Sequence, residues 1–362
     1  MKFKILINSL ILLVLTIIIA FLLSQLVSKT TTESAANIVW NVYNLKPNSV
    51  DVVIVGPSTS RYAYNSFVAW DRYGITTLNC SFGYLAGPVV KNMLIECLKR
   101  QKPKVILINA DCFLFLNKGD FRNNACTGIS NLSFDVVPEL KWSLNKIDFL
   151  KKIIGFYQLN TKEIIHFLFP ITSSHKISIA GIINSNRKMY LASRYKHFFN
   201  KISASFNIRK TKIDKYSVEK EIYTKESLED LFDYCKKLDI PVIFIGVPHP
   251  VSFVKPYLEI YDLYNMFFSF VKENNFDYIN PNDYYTIKDL KLSYQDTYDA
   301  SHLNYWGAEK YTNYIAKILV EKYHLEDKRN NPDYSFWNDA AKEYSKTIKE
   351  KFDIDVSIKD TK

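Results

Sequence analysis

The sequence is poor in glycine, with 10 glycines among 362 residues. This scarcity disfavours folds that depend on repeated glycine turns, such as β-propellers, collagen-like rods and glycine-rich nucleotide-binding folds. No segment repeats with a period of about 20–50 residues, which argues against a solenoid. No G-x-G-x-x-G follows the first predicted strand, so a Rossmann-like nucleotide-binding domain is disfavoured too.

Cysteine is also scarce, and its spacing suggests no metal site. The five cysteines contain no C-x-x-C pair and are odd in number, so disulfides can involve at most four of them: Cys80, Cys97, Cys112, Cys126 and Cys235. We expect most of them to be buried as small apolar side chains. His166, His175 and His197 lack metal-ligand spacing, and the sequence predicts neither a metal nor a cofactor.

Charge is missing from a long segment near the N-terminus, between Ile5 and Val27. Twenty or so apolar residues in a helix are long enough to span a hydrocarbon core of roughly 30 Å. Lys2 and Lys4 precede this segment, which favours a cytoplasmic N-terminus and export of the chain after residue 30. A cleaved signal peptide is the alternative, but the segment is longer than usual and no clear cleavage site follows it.

The protein has a formal net charge of +10, and the excess is unevenly distributed. Between Ile164 and Val218 there are ten Lys and Arg residues and one acid, Asp214. An exported basic stretch fits anionic lipid headgroups or an anionic envelope polymer, and export makes nucleic acid an unsuitable partner. A generally basic proteome would account for the same charge.

The remaining sequence alternates between short apolar runs and helical patterns, which predicts an α/β domain with a mostly parallel sheet flanked by helices on both faces. The predicted strands are Val50–Val55, Gly74–Asn79, Lys104–Asn109, Ile240–Val247 and Phe276–Ile279. Predicted helices cover Pro88 to about Gln101, Lys225–Leu238 and Tyr305 to about Tyr323.

These patterns divide the chain into segments. We predict an anchor at 1–29, a linker at 30–36, a main domain at 37–324 and a polar tail at 325–362. A basic helical insertion is expected at about 112–224, and a surface helix in the tail around Trp337–Phe352.

Ser58 follows the first predicted strand in the turn Gly56-Pro57-Ser58-Thr59-Ser60. Because chemistry in parallel sheets collects at the carboxyl ends of strands, a serine there can present its hydroxyl to a ligand. Ser58 is equally suited to capping the next helix, and Ser60 is a competing reactive or capping hydroxyl.

A second constellation lies near the C-terminus, where Asp299 precedes His302 by three residues at a helix entrance. A carboxylate that binds Nδ1 of an imidazole fixes its tautomer and frees Nε2 to accept a proton from a serine. A capping aspartate beside an exposed histidine is the alternative. His249, in a proline-rich loop after a predicted strand, could line the same cleft but is not assigned to the triad.

A G-x-S turn after the first strand and a D-x-x-H near the C-terminus resemble the SGNH (GDSL-like) hydrolase superfamily. The string DASHLNYWGAEKYT resembles its envelope-polymer branch, which includes the teichoic-acid D-alanylation D-protein and alginate-type O-acetyltransferases. The resemblance covers roughly 50–115 and 240–322. It implies a flavodoxin-like fold, an N-terminal membrane helix and a Ser58–His302–Asp299 triad. It also implies an oxyanion hole formed by Ser58 and Gly83.

The sequence departs from this family pattern at two points. Pro57 replaces the aspartate of a strict G-D-S, which leaves the nucleophile unchanged. The third block, Gly-x-Asn-Asp, is absent, and the corresponding strand ends in Asn109-Ala110-Asp111. Asn109 is therefore a doubtful oxyanion donor, and loss of one such donor costs on the order of 100-fold or more in rate.

The resemblance implies an anchored, extracytoplasmic O-acyltransferase or esterase that acts on an envelope polysaccharide or teichoic-like polymer. A multi-span membrane O-acyltransferase is a further partner that it implies. The alternative is a degenerate domain of the same type that binds glycan or acts as a scaffold for such a partner, and the missing third block favours this alternative.

Overall fold

The structure of the protein is a computed structural model. It describes residues 2–27, 33–83, 85–114, 136–137, 140–157, 159–169, 222–249, 258–299, 302–353 and 356. Cys126, His175, His197 and most of the basic stretch that the sequence analysis singled out lie outside these residues.

The apolar N-terminal segment forms helix α1, Lys2–Val27. Within it, Phe3–Leu23 provides 21 residues with a mean hydropathy of 3.0, and its side chains are not buried against the rest of the protein. This helix is long and apolar enough to cross a membrane, as the sequence predicted.

Five strands form one parallel sheet: β1 Val52–Val55, β2 Thr77–Asn79, β3 Val105–Asn109, β4 Val242–Ile245 and β5 Asp277–Ile279. Their spatial order is β2-β1-β3-β4-β5, and every neighbouring pair is parallel. The α/β prediction is therefore confirmed, and each strand lies within a segment predicted to contain one. Strands β1, β3 and β4 are buried on both faces, which explains their unbroken apolar sequences.

Helices cover both faces of the sheet. Those before the third strand are α2 Glu33–Asn44, α3 Ser58–Ala63, α4 Ser66–Tyr73 and α5 Gly87–Leu98. Those between β3 and β4 are α6 Asp111–Leu114, α7 Leu144–Tyr157, α8 Thr161–Leu168 and α9 Ile222–Cys235. The later ones are α10 Leu258–Glu273, α11 Tyr284–Asp289, α12 Tyr305–Tyr323 and α13 Ser335–Phe352.

Alternate residues of the strands pack into two different cores. Val53, Ile106 and Phe244 face a core shared with α5, α9 and α10. Val52 and Leu107 face the opposite side, where α12 covers the sheet. This alternation follows from the two-residue repeat of a strand.

Two features of the predicted segments are corrected by the structure. Helix α2 begins at Glu33, inside the predicted linker 30–36, because Ile38, Val39 and Val42 form a buried helical stripe. Helix α13 is more than a surface helix, since Trp337 is buried in the main core and packs against Trp70 of α4 with the rings tilted and their centroids 5.7 Å apart.

The four cysteines in the described residues are buried, as expected. Cys80 and Cys97 form a disulfide between the loop after β2 and helix α5, whereas Cys112 and Cys235 are free thiols. Burial raises the pKa of the Cys112 thiol well above its usual value. A thiol held in the neutral form is a poor nucleophile, so Cys112 is not activated for nucleophilic chemistry.

Candidate active site

Ser58, His302 and Asp299 form a continuous hydrogen-bonded chain, although Ser58 and His302 are far apart in the sequence. Nε2 of His302 lies 2.9 Å from Oγ of Ser58. On the other side of the ring, Nδ1 lies 2.9 Å and 2.8 Å from the two carboxylate oxygens of Asp299. A proton on Nδ1 satisfies the carboxylate and leaves the Nε2 lone pair directed at the serine hydroxyl.

The turn between β1 and α3 positions Ser58 at the carboxyl edge of the sheet. Gly56 is required there because an added Cβ would lie 2.9 Å from Cβ of Asn109 and closer still to the Ser60 hydroxyl. Pro57 occupies the N-cap of α3 and provides no side-chain cap, so Ser58 begins the helix. Ser58 therefore stands at the switch point of the sheet, where the chain after β1 leads to β2 on one side and the chain after β3 leads to β4 on the other, a usual ligand site in doubly wound folds.

His302 and Asp299 belong to a short loop that precedes α12. The backbone N–H of His302 donates to Asp299 Oδ1 at 2.9 Å, so the carboxylate also orients the main chain that carries the imidazole. The backbone carbonyl of His302 accepts from Tyr298 N at 2.8 Å. At the end of the loop, Asn304 caps α12 by accepting from the N–H groups of Trp306 and Gly307. The D-x-x-H spacing is thus fixed by local hydrogen bonds.

A buried polar network lies behind the nucleophile. The side-chain amide of Asn109 donates to Ser60 Oγ at 2.6 Å and to Thr59 Oγ1 at 3.1 Å. Thr59 donates to Asp111 Oδ2, and Tyr264 donates to Asp111 Oδ1. Burial raises the pKa of Asp111, and the hydrogen bonds from Thr59 and Tyr264 partly oppose this rise. Satisfied buried networks of this kind hold one arrangement of their members, here the first turn of α3.

Gly83 and Asn109, the two further residues considered for an oxyanion hole, have different surroundings. Gly83 follows a segment tied to the end of β1, in which Phe82 N donates to Gly56 O at 3.1 Å. Gly83 therefore lies beside the turn that carries Ser58. Both amide hydrogens of Asn109 are directed at the hydroxyls of Ser60 and Thr59, so its contacts support the nucleophile turn and not an oxyanion.

Aromatic residues surround the imidazole. The Tyr62 ring packs against His302 at a centroid distance of 4.7 Å and stacks on Tyr298 at 6.4 Å. Sequence analysis missed Tyr62, although its position four residues after Ser58 places it on the same face of α3. The four-residue spacing was visible in the sequence, but it could not be distinguished from that of an aromatic residue packed in the core.

His249 lies close enough to the triad for its charge to interact with that of His302. Burial and the neighbouring His302 lower the pKa of His249 to about 4, while Asp299 acts in the opposite direction. Its loop is held by Asn282, which accepts from His249 N at 2.8 Å and donates to Val247 O at 2.9 Å. His249 is therefore neutral at physiological pH.

Comparisons of the sequence with models of known protein families and with curated proteins found no match. Within the described ranges, no group of three or more His, Cys, Asp or Glu side chains has the arrangement of a metal site. The chemistry of the site therefore has to be argued from its own geometry.

Proposed function

We propose that this protein is a membrane-anchored, extracytoplasmic acyl-ester enzyme of SGNH type, an O-acyltransferase or esterase acting on an envelope polysaccharide or teichoic-like polymer. The Ser58–His302–Asp299 hydrogen-bonded chain is the observation that carries this proposal. Helix α1, the order of the parallel strands and the position of the triad at their carboxyl edge support it.

The reaction begins when Ser58 Oγ attacks an acyl carbonyl and its proton moves to Nε2 of His302. The resulting imidazolium is stabilised by Asp299, which stays ionised. The proton then passes to the departing alcohol and leaves an acyl ester on Ser58. An acceptor sugar hydroxyl, or water, next loses its proton to His302 and attacks that ester; the bond from the acyl carbon to Ser58 Oγ then breaks, and His302 returns the proton to Ser58 Oγ.

Backbone N–H groups are the proposed stabilisers of the oxyanion. Those of Ser58 and Gly83 lie at the first turn of α3 and beside it, and Pro57 leaves that turn without a side-chain cap. Backbone N–H groups in the first turn of a helix point toward its N-terminal end and favour negative charge there. The commitment of Asn109 to Ser60 and Thr59 means that this side chain does not replace the missing third-block donor.

The test is covalent labelling of the full-length protein in detergent with a serine-directed fluorophosphonate, followed by peptide mass mapping. We expect one adduct, on Ser58. Ser58→Ala and His302→Ala should abolish it, and Asp299→Asn should slow labelling about 100- to 10,000-fold because the imidazole loses its oriented tautomer. Ser60→Ala is the matched control and should retain the adduct, since its hydroxyl faces Asn109.

A scaffold role is the second candidate, favoured by the engagement of both amide hydrogens of Asn109. It predicts a folded protein without an adduct, and full complementation in cells by Ser58→Ala. A weak rate of ester hydrolysis would not distinguish the two roles, because a transferase without its acceptor turns over slowly. Absence of the adduct in a folded protein would overturn the enzyme proposal.

A further inference from the structure

Four large apolar side chains are exposed just before helix α7, within α7 and within α8. Trp142 is 39 % exposed, Leu144 86 %, Ile147 41 % and Ile165 42 %. We call this set the α7–α8 apolar surface. Outside helix α1, four of the seven large apolar side chains that are exposed in the described residues belong to this set.

The α7–α8 apolar surface is continuous with the membrane helix. The ring of Phe21 in α1 packs against Trp142 at a centroid distance of 5.1 Å and against Phe169 at 5.9 Å. Phe169 follows Ile165 by one helical turn, and its N–H donates to the Ile165 carbonyl at 2.7 Å. Phe21 lies two residues before the end of the apolar span at Leu23, or about 3 Å along the helix axis. The apolar surface is therefore at the depth where α1 would leave the hydrocarbon core.

The charges around this surface are mainly positive. Lys141, Lys151 and Lys162 are exposed beside it. Lys146 is itself buried, and its ammonium lies 4.3 Å above the Trp142 ring and donates to Leu140 O at 2.7 Å, so it covers one face of that ring and is not part of the exposed charge. Asp148 is the acid on the same helix, and it is paired with Lys152 at 3.3 Å. Tryptophan and lysine together are typical of the lipid headgroup region.

We propose that the α7–α8 apolar surface lies in the anionic headgroup region of the leaflet from which α1 emerges. The α/β domain is then docked on the bilayer, and does not hang from a flexible tether. This inference requires that α1 spans the membrane, but it is independent of acyl-ester chemistry.

Docking at this surface also sets the direction of the active site. The start of α7 packs on the second half of α5, where Asn145 donates to Glu96 at 2.9 Å and Lys99 donates to Ser143 at 3.1 Å. Helix α5 begins at Gly87, after the loop at the carboxyl edge of the sheet, and runs toward the opposite edge. Its 12 residues span about 18 Å. Ser58 therefore faces away from the docked surface, toward the envelope.

Site-specific labelling in lipid nanodiscs tests this arrangement in the full-length chain. An environment-sensitive fluorophore is attached at Leu144→Cys on the docked surface, at Tyr285→Cys as the matched control, and at Leu13→Cys within the span. Tyr285 is 77 % exposed and lies after β5, on the carboxyl side of the sheet. Cys126→Ser in all three removes the one cysteine that lies outside the described residues.

With one copy per disc and anionic lipids, we expect blue-shifted emission at positions 144 and 13, with quenching by shallow doxyl-labelled lipids at 144 and by deep doxyl-labelled lipids at 13, the middle of the span. Position 285 should be quenched by aqueous iodide instead. Exchange of anionic for zwitterionic lipid should weaken the quenching at 144 and leave that at 13 unchanged. If lipid quenching at position 144 is unchanged by this exchange, headgroup charge does not contribute to holding this surface on the bilayer.

The outcomes separate docking from anchoring. Iodide quenching at 144 with lipid quenching at 13 would overturn the docking and leave the anchor intact. Quenching by iodide, without quenching by lipid, at both positions would also overturn the proposal that α1 is a membrane anchor. A label at 144 that is shielded from iodide yet insensitive to doxyl lipid would indicate a protein occupant, and a dependence on copies per disc would identify it as a second copy of this chain.

Discussion

At the scale of single residues, two histidines close to each other have different surroundings. His302 contacts Ser58 and Asp299, so its ring is placed for proton transfer. His249 is kept neutral by burial and by the neighbouring His302. In the acyl-transfer reaction proposed here, a neutral His249 would add no charge that disfavours an imidazolium on His302.

The lowered pKa of His249 predicts acid sensitivity. Between its ordinary value of 6.5 and the folded value of about 4, the unfolded chain binds a proton that the folded protein does not. Stability is therefore fully present above about pH 6.5 and falls as the pH drops through this window, by at most roughly 3 kcal/mol at about 1.4 kcal/mol per pH unit. Thermal unfolding of the full-length protein in detergent between pH 7.5 and 4 measures this loss.

His249→Gln provides the comparison, because glutamine does not titrate. Its melting temperature should fall less steeply over the same range, while the two proteins should run parallel above pH 7. Equal slopes in both proteins would show that other groups cause the acid sensitivity.

At the scale of elements, the turn from β1 into α3 is the part on which the site depends most. Gly56 allows Ser60 and Asn109 to approach the backbone, and the hydrogen bonds of Asn109 and Asp111 then fix Thr59 and Ser60. The carboxyl ends of β1 and β3 therefore meet through side chains as well as through the sheet ladder. Ser58 lies between these two strand ends, so its position depends on both strands.

Gly56→Ala should destabilise the protein by about 1–3 kcal/mol, because the added methyl group overlaps Ser60 and Asn109. Labelling of Ser58 should slow as well, since relief of the overlap moves the turn. Gly155→Ala is the control: its added methyl group meets nothing within 4 Å, in helix α7. Alanine there should stabilise the protein by about 0.5–1 kcal/mol. The denaturation midpoints of the two variants should shift in opposite directions, and an unchanged midpoint for Gly56→Ala would disprove the packing argument.

At the scale of the whole molecule, one apolar helix leads into an α/β domain, and we propose that its reactive edge and its docked apolar surface lie on different sides. An enzyme arranged in this way would meet its polymer above the membrane while held to it. The basic charge of the chain suits both an anionic bilayer and an anionic polymer.

The proposed topology predicts that protease added to intact cells with a permeable wall digests the domain after residue 30. This orientation is inferred from Lys2 and Lys4, which precede the uncharged segment, because positive charge beside a membrane helix favours the cytoplasmic side. The protein should sediment with membranes, and a cytoplasmic marker should stay intact as the control. Protection of the domain under conditions that digest an exported marker would reverse the orientation.

Much of this architecture could be predicted from local sequence alone. β-Branched, uncharged runs predict β1, β3 and β4, because strands buried on both faces have no polar positions. The uncharged segment before residue 28 predicts α1 by length and composition. The spacing of Asp299 and His302 predicts their mutual contact, because three residues in a tight loop allow a carboxylate to reach both the ring and the backbone N–H.

The remaining features required the tertiary structure, because they depend on which strands are neighbours and which helices cover them. Only the placement of β3 beside β1 brings the Asn109 amide to Ser60 and Thr59 and turns it away from an oxyanion role. Tyr264 reaches Asp111 across 153 positions of chain, a contact that no local pattern encodes. The sequence by itself determined the strands, the apolar helix and the candidate triad residues, whereas packing decided what supports Ser58 and which surface meets α1.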